Sequence, residues 1–171
     1  MTNWKVINGF SNYQVSDEGE VFSVPRPKTR GGLIKQRQGR NGRFVVDLWD
    51  DNHNKKGLWV HQLVASHFLP NIYGKKQVDH RNGDYTDNRA INLRWASSRE
   101  NILNTRKRVD NTSGYKGVCF DKSRCRWVAR VSKEGGGELS KRFKTKAEAI
   151  SFRDQLVKIH YNPSFYTDDR W

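Results

Sequence analysis

Over the first fifty residues the apolar positions come in short alternating runs. Trp4, Val6 and Ile7 precede a turn at Gly9, and Tyr13-Gln14-Val15 alternates. Asp17-Glu18-Gly19 turns the chain, and Glu20-Val21-Phe22-Ser23 resumes an extended run. A period of two broken by turn residues predicts short strands, because successive strand side chains point to opposite faces. Phe44 to Trp49 repeats the pattern, Asp51-Asn52 turns, and Leu58-Trp59-Val60 is the returning strand. The period then changes. Between His61 and Phe68, the residues Leu63, Val64 and Phe68 share one side of a helix that Pro70 ends. His61 and His67 sit in this apolar helix and read as core-edge histidines rather than ligands. Lys76 to His80 predicts a strand, Asn82-Gly83 a tight turn, 84–92 a polar loop, and Leu93 to Ala96 a second strand. Ser97-x-x-Glu100 is a capping box, so a helix is expected from there towards Arg108.

A second pattern follows a linker around Asp110 to Ser113. In 126–131, Trp127, Ala129 and Val131 point one way, and Arg126, Val128 and Arg130 the other. Gly135-Gly136-Gly137 is a turn and Ser140 to Phe143 a third short strand. Lys146 to Tyr161 is helical, with Ala149, Phe152, Leu156 and Ile159 on one stripe. Three antiparallel strands backed by one helix are expected, with a basic outer face.

Charge sharpens this picture. The 171 residues carry 32 Lys and Arg against 18 acids, a net charge of +14. Such an excess attracts a polyanion and says nothing about fold. Residues 1–105 hold 16 basic and 10 acidic residues, and 106–160 hold 15 and 6, so the second pattern is the denser in charge. From Pro25 to Arg43 there are seven bases and no acid: Arg26, Lys28, Arg30, Lys35, Arg37, Arg40 and Arg43. Gly and Pro interleave them, which predicts a loop or extended ribbon, either laid along phosphates or simply solvated. No stretch approaches 18 apolar residues, and Met1 to Tyr13 lacks the apolar run of a signal peptide, so a cytoplasmic protein without membrane contact is expected. Cys119 and Cys125 lack the C-x-x-C spacing, so no structural zinc is expected. They read as two small apolar side chains on neighbouring strands of a reduced protein.

Candidate chemistry gathers between 78 and 105. Phosphodiester hydrolysis needs a base to deprotonate water and a hard cation on oxygen ligands to neutralise the phosphate. His80 can be the base. Asp79 can offer a carboxylate, although regular pleating would send it to the opposite strand face from His80 unless the strand ends or twists there. Asn101, on the first turn of the expected helix, can offer an amide oxygen, and Asn92 ends the polar loop, where such side chains bond nearby backbone. On residue types alone, a lone Asp-His pair is usually structural.

The spacing is more specific. D-H-x-N-G-x-x-x-D-N-R-x-x-N-L-R-W-A-x-x-x-E-N, from Asp79 to Asn101, resembles the HNH nucleases, and within them the phage homing endonucleases. The resemblance implies a ββα-metal site in which Asp79 and Asn101 hold one Mg²⁺ or Mn²⁺, His80 is the general base and Asn92 braces the loop that positions it. The motif's third letter is Asn101 rather than His, which favours a hard, oxygen-preferring ion. Upstream, W-K-x-I-x-G-F-x-x-Y-x-V-S-x-x-G-x-V-x-S from Trp4 to Ser23 is similar to the NUMOD-type module that precedes such cores. V-H-Q-L-V-A-x-H-F from Val60 to Phe68 is similar to the family's pre-core helix. Downstream, S-G-Y-K-G-V, R-W-x-A-x-V and R-F-K-T-x-x-E-A over 112–161 resemble the Apetala-type (ethylene-response) DNA-binding domain. That resemblance implies DNA contacts from Lys116, Arg124, Arg126, Arg130 and Arg142.

The expected organisation is α+β. A NUMOD-like DNA-gripping module spans 1–57, an HNH core 58–108, a linker 109–113, an Apetala-like domain 114–161 and a tail 162–171. The implied activity is site-directed DNA cleavage of the homing kind on double-stranded DNA, by a monomer nicking one strand per site. The competing reading is a non-catalytic, sequence-specific DNA-binding regulator on the same scaffold.

Overall fold

β-Branched and aromatic residues at alternate positions fit a half-buried pleated surface, and the first half of the chain uses them that way. The computed structural model describes residues 1–105, 110–133 and 136–161. The chain divides into two compact units, Met1–Ser98 and Arg99–Trp171.

In the first unit, β1 (Trp4–Ile7), β2 (Phe10–Ser16), β3 (Val21–Ser23) and β4 (Gly32–Leu33) form a four-stranded sheet in that order. The turn before β3 depends on Gly19, whose φ of 87° is costly for any residue with a Cβ. The sheet β5 (Arg37–Gln38), β6 (Phe44–Trp49) and β7 (Lys55–Trp59) follows, so part of the basic stretch is indeed extended chain. Helix α1 (Val60–Phe68) buries Val60, Leu63 and Val64 at the i, i+3, i+4 spacing, and Leu69, before Pro70, is already extended. Strands β8 (Gln77–His80) and β9 (Leu93–Ala96) pair antiparallel, with Asp79 opposite Arg94 and His80 opposite Leu93. The Trp95 indole N–H donates to the Leu69 carbonyl at 3.1 Å, tying β9 to the end of α1.

One apolar cluster runs through these elements. Ile7, Tyr13, Val15 and Val21 of the N-terminal strands pack with Val46, Leu48, Val60, Val64, Val78 and Leu93. The strands expected to grip DNA and those expected to carry the chemistry therefore share a core.

Helix α2 (Ser98–Leu103) carries the chain from the first unit into the second. It stops at Leu103, short of the expected run towards Arg108, and 106–109 lie outside the described residues. In the second unit, β10 (Val118–Asp121), β11 (Arg126–Ser132) and β12 (Glu138–Phe143) form an antiparallel sheet in that order. Helix α3 (Lys146–His160) opens on a capping box in which Thr145 and Glu148 satisfy each other's backbone N–H. The expected turn at Gly135 falls partly outside the described residues.

Two expectations about this unit need correction. The buried stripe of α3 is Ala149, Arg153 and Val157, flanked by half-buried Phe152 and Leu156, whereas Ile159 is 74% exposed. Arg153 can replace an apolar residue because its stem packs while Asp154 pairs with its guanidinium at 3.1 Å and the Tyr115 hydroxyl donates to the same carboxylate at 3.2 Å. The cysteines do not lie on two neighbouring strands. Cys119 lies in β10 but is exposed, and Cys125 is an exposed turn residue at a φ of 48°. Among the described residues, no helix is long and apolar enough to cross a membrane.

Candidate active site and nucleic-acid interface

The β8–β9 pair displays its polar residues on two faces. Asp79 shares a face with its cross-strand partner, and Arg94 Nε donates to its Oδ2 at 2.7 Å with Nη2 at the same distance. The two side chains are 4% and 7% exposed. A guanidinium so placed holds that oxygen by charge and hydrogen bond together. His80 leaves the other face of β8, as regular pleating requires, and is the strand's last residue. Its ring is 1% exposed and meets His61 at 5.4 Å and the edge of Tyr85 at 5.7 Å, centroid to centroid. Nε2 of His80 lies 3.1 Å from Asn88 Oδ1. The Arg43 guanidinium lies over the Tyr85 ring at 4.6 Å.

Burial, assisted by the Arg43 charge, holds the His80 imidazole below its usual pKa. His61 is pushed down to about 3 by burial, with smaller contributions from His80 and Arg43. Its Nδ1 is buried without a hydrogen-bond partner among the described residues. Both imidazoles are thus kept neutral at ordinary pH, the state in which one can accept a proton.

The loop between the strands is closed by its own side chains. Asn92 Oδ1 accepts the Asn82 N–H at 3.1 Å, and Asn92 Nδ2 donates to the Asp87 carbonyl at 2.8 Å. The Arg81 N–H donates to the Asn92 carbonyl at 2.8 Å. Asp87 receives Arg89 through two hydrogen bonds of 2.8 Å, and Asp84 caps Thr86 through its backbone and hydroxyl. Asn101 lies on α2, in the second unit.

The structure therefore groups His80 and Asn92 in one loop-and-strand assembly, with Asp79 on the opposite face of β8, the separation that regular pleating predicts. It also adds residues to which the sequence reading gave no role: Asn88, Tyr85 and, beside His80, His61. Asn88 stood inside the recognised motif, but an inward-turned amide in an exposed loop has no periodicity to betray it.

The candidate DNA-contacting residues divide by what already holds them. In the first unit, Arg26 donates to Ser23 Oγ and the Val24 carbonyl, Arg37 forms a two-point pair with Asp47, and Arg43 stacks on Tyr85. Lys28, Arg30, Lys35 and Arg40 are exposed. In the second unit the strand register places Arg126, Arg130 and Arg142 on the sheet face away from α3, all exposed. Arg142 and Arg124 both approach Asp121 at 3.5 Å, and Arg130 lies 4.0 Å from Glu138. Lys116 is half-buried and donates to the Leu103 carbonyl at 3.0 Å.

A divided chain with a braced loop joining two antiparallel strands, and a helix immediately after them, is the outline of one nuclease class. Residues 58–103 match the HNH endonuclease family and residues 3–49 match the NUMOD4 motif. Along the chain, the match to the HNH endonucleases thus follows the match to the NUMOD4 motif. The chain is related to the DNA endonuclease I-HmuI of Bacillus phage SP01, with 35% identity over 106 residues, covering 61% of this chain and 58% of that protein. An uncharacterised HNH endonuclease of Acanthamoeba polyphaga mimivirus is 38% identical over 112 residues, covering 63% of this chain and 26% of that one. The matches thus span from about a quarter to 58% of these relatives' own lengths. A solved structure described as DNA binding and cleavage by the HNH homing endonuclease I-HmuI aligns over 92% of this chain and 88% of its own, at 26% identity and a TM-score of 0.54.

The HNH family implies a divalent metal. The candidate donors here are one carboxylate, Asp79, and one amide, Asn101. Asp79 belongs to the first unit and Asn101 to the second, and oxygen donors of these two types are the kind a hard ion takes.

Proposed function

We propose that this protein is a metal-dependent, site-directed DNA endonuclease of the homing kind. The observation that carries the reading is the buried His80 at the end of β8, hydrogen-bonded to Asn88 beside a loop closed by Asn92, inside the segment that matches the HNH endonucleases.

In this reading Asp79 and Asn101 hold Mg²⁺ or Mn²⁺, which supplies charge neutralisation at the phosphate and the leaving oxygen. His80 takes the proton from the attacking water. Arg94 orients Asp79, and Asn92 keeps the loop shut so that the imidazole stays in register with the strand. The exposed bases of the first unit, with Arg26, Arg37 and Arg43, grip phosphates. The outer sheet face of the second unit, Apetala-like in sequence, contacts double-stranded DNA through Arg126, Arg130 and Arg142, with Arg124 and Lys116 beside it. A two- or three-stranded sheet fits the major groove, where Arg reads guanine. One base serves one strand at a time, so a monomer nicks.

The test is incubation of the purified chain with supercoiled plasmids bearing a genomic DNA library, with Mg²⁺ or Mn²⁺ supplied, followed by mapping of the ends. Open circles cut at a small set of sites are expected. Tight, sequence-selective binding with no cleavage by either ion would instead establish the non-catalytic regulator.

A further inference from the structure

Loop residues 84–91 are largely exposed, yet Asn88 among them is 5% exposed. Its amide turns inward to His80. Asn88 Nδ2 faces the Thr86 carbonyl at 3.5 Å, an acceptor, so the amide nitrogen belongs there and Oδ1 belongs on the imidazole. An amide oxygen only accepts, so His80 Nε2 carries the proton and Nδ1 keeps the basic lone pair. The contact therefore selects a tautomer as well as filling space.

Behind Asn88 stands the N-terminal segment. A Cβ built on Gly19 would lie 3.0 Å from Asn88 Cβ and 3.2 Å from its carbonyl carbon and oxygen. The Ala90 N–H donates to the Asp17 carbonyl at 2.7 Å. That turn is itself held from several sides. Asp17 accepts the Asn3 N–H at 2.9 Å and its side-chain amide at 2.7 Å, Gln36 Nε2 donates to the Gly19 carbonyl at 2.7 Å, and the Gly19 N–H donates to the Ser16 carbonyl at 3.2 Å. Gly19 thus combines a left-handed backbone with a close approach that only a glycine permits.

We infer that Asn88 is a positioning residue for His80, fixing its Nε2–H tautomer, and that the N-terminal turn Asp17–Gly19 is the wall that holds Asn88 in place. The NUMOD4 segment then has a second task beyond gripping DNA: it completes the loop that presents the base. The catalytic consequence rests on the nuclease reading above, whereas the tautomer does not.

The test uses the full chain. ¹⁵N-correlated NMR of the histidine rings above neutral pH should show His80 as the Nε2–H form in the wild type and in Asn88→Asp, which keeps an acceptor oxygen. Asn88→Leu, similar in volume but without an acceptor, should give a tautomer mixture. Single-turnover cleavage should fall at least about tenfold in Asn88→Leu, a part of the 10²–10⁴ that a general base supplies, and recover largely in Asn88→Asp. Gly19→Ala should slow cleavage while DNA affinity stays within about twofold, as expected when the lost interaction acts on the chemical step and not on binding. An unchanged His80 tautomer in Asn88→Leu would overturn the proposal, as would a Gly19→Ala variant that binds DNA less well but cuts at the wild-type rate. If no variant and no wild type cleaves, while the tautomer still follows Asn88, the nuclease reading fails and the positioning stands.

Discussion

Asn92→Ala removes both clasps of the loop between β8 and β9 at once. The Asn82 N–H loses its acceptor at 3.1 Å and the Asp87 carbonyl loses its donor at 2.8 Å. Each intramolecular hydrogen bond is worth about 0.5–1.5 kcal/mol net, so the two together give roughly 1–3 kcal/mol. Asn82 is exposed and Asp87 half-buried, so water can reach both groups once the loop opens slightly. That solvation caps the loss towards the lower half of the range, about 1–2 kcal/mol, and makes it a local opening in place of global unfolding. An opening of that size corresponds to a roughly 5- to 30-fold larger open population, at about 1.4 kcal/mol per factor of ten. Hydrogen exchange should show it first at the Arg81 N–H, which bonds the Asn92 carbonyl, and at the Asn82 N–H. Single-turnover cleavage should fall in step, and the melting temperature by only a few degrees. Lost cleavage with unchanged exchange at Arg81 and Asn82 would refute the brace and give Asn92 another role.

Three further outcomes follow from the structure. His61 has its folded pKa depressed to about 3, so the unfolded chain binds the extra proton between there and about 6.5. Stability should therefore be whole above about pH 6.5 and fall as the solution is acidified towards 3; in acid melts His61→Gln should flatten that slope, and an equally steep slope in the variant would contradict the assignment. Leu48→Ala, at a site with no exposed surface in the shared core, should cost about 2–5 kcal/mol in denaturant titration; a cost under about 1 kcal/mol would mean the core is not shared as described. If Arg126 and Arg130 each meet a phosphate, each alanine variant should reduce the slope of log Kd against log salt by about 0.9, and an unchanged slope would remove that residue from the interface.

The local elements were the most legible. Strands β8 and β9 and the loop between them follow from alternation interrupted by Asn82-Gly83, and α1 from a clear change of period closed by Pro70. Three kinds of feature were not legible. The common core of the N-terminal strands with α1 and β8–β9 is a tertiary fact, since an apolar face does not say which neighbour covers it. Arg153 at the centre of the α3 stripe defeats an apolar-only reading because its charge is met by the adjacent Asp154, and Ile159, six residues on, is left in solvent. The grip on His80 came from Asn88 and from Gly19, two residues sixty-nine positions apart in the chain, and only the fold brings them together.

In the proposed reaction His80 acts on a water beside the scissile phosphate. The Asp79–Arg94 pair is less suitable for testing it, because removing one partner of a buried ion pair costs roughly 3–5 kcal/mol and risks the fold. The direct measurement is single-turnover cleavage by His80→Ala and wild type on a mapped target with Mg²⁺, with DNA affinity and melting temperature measured alongside. A loss of at least about a hundredfold in rate, with affinity nearly unchanged, is the predicted result. A His80→Ala protein that cuts the same bond at a rate near that of the wild type would exclude His80 as the base.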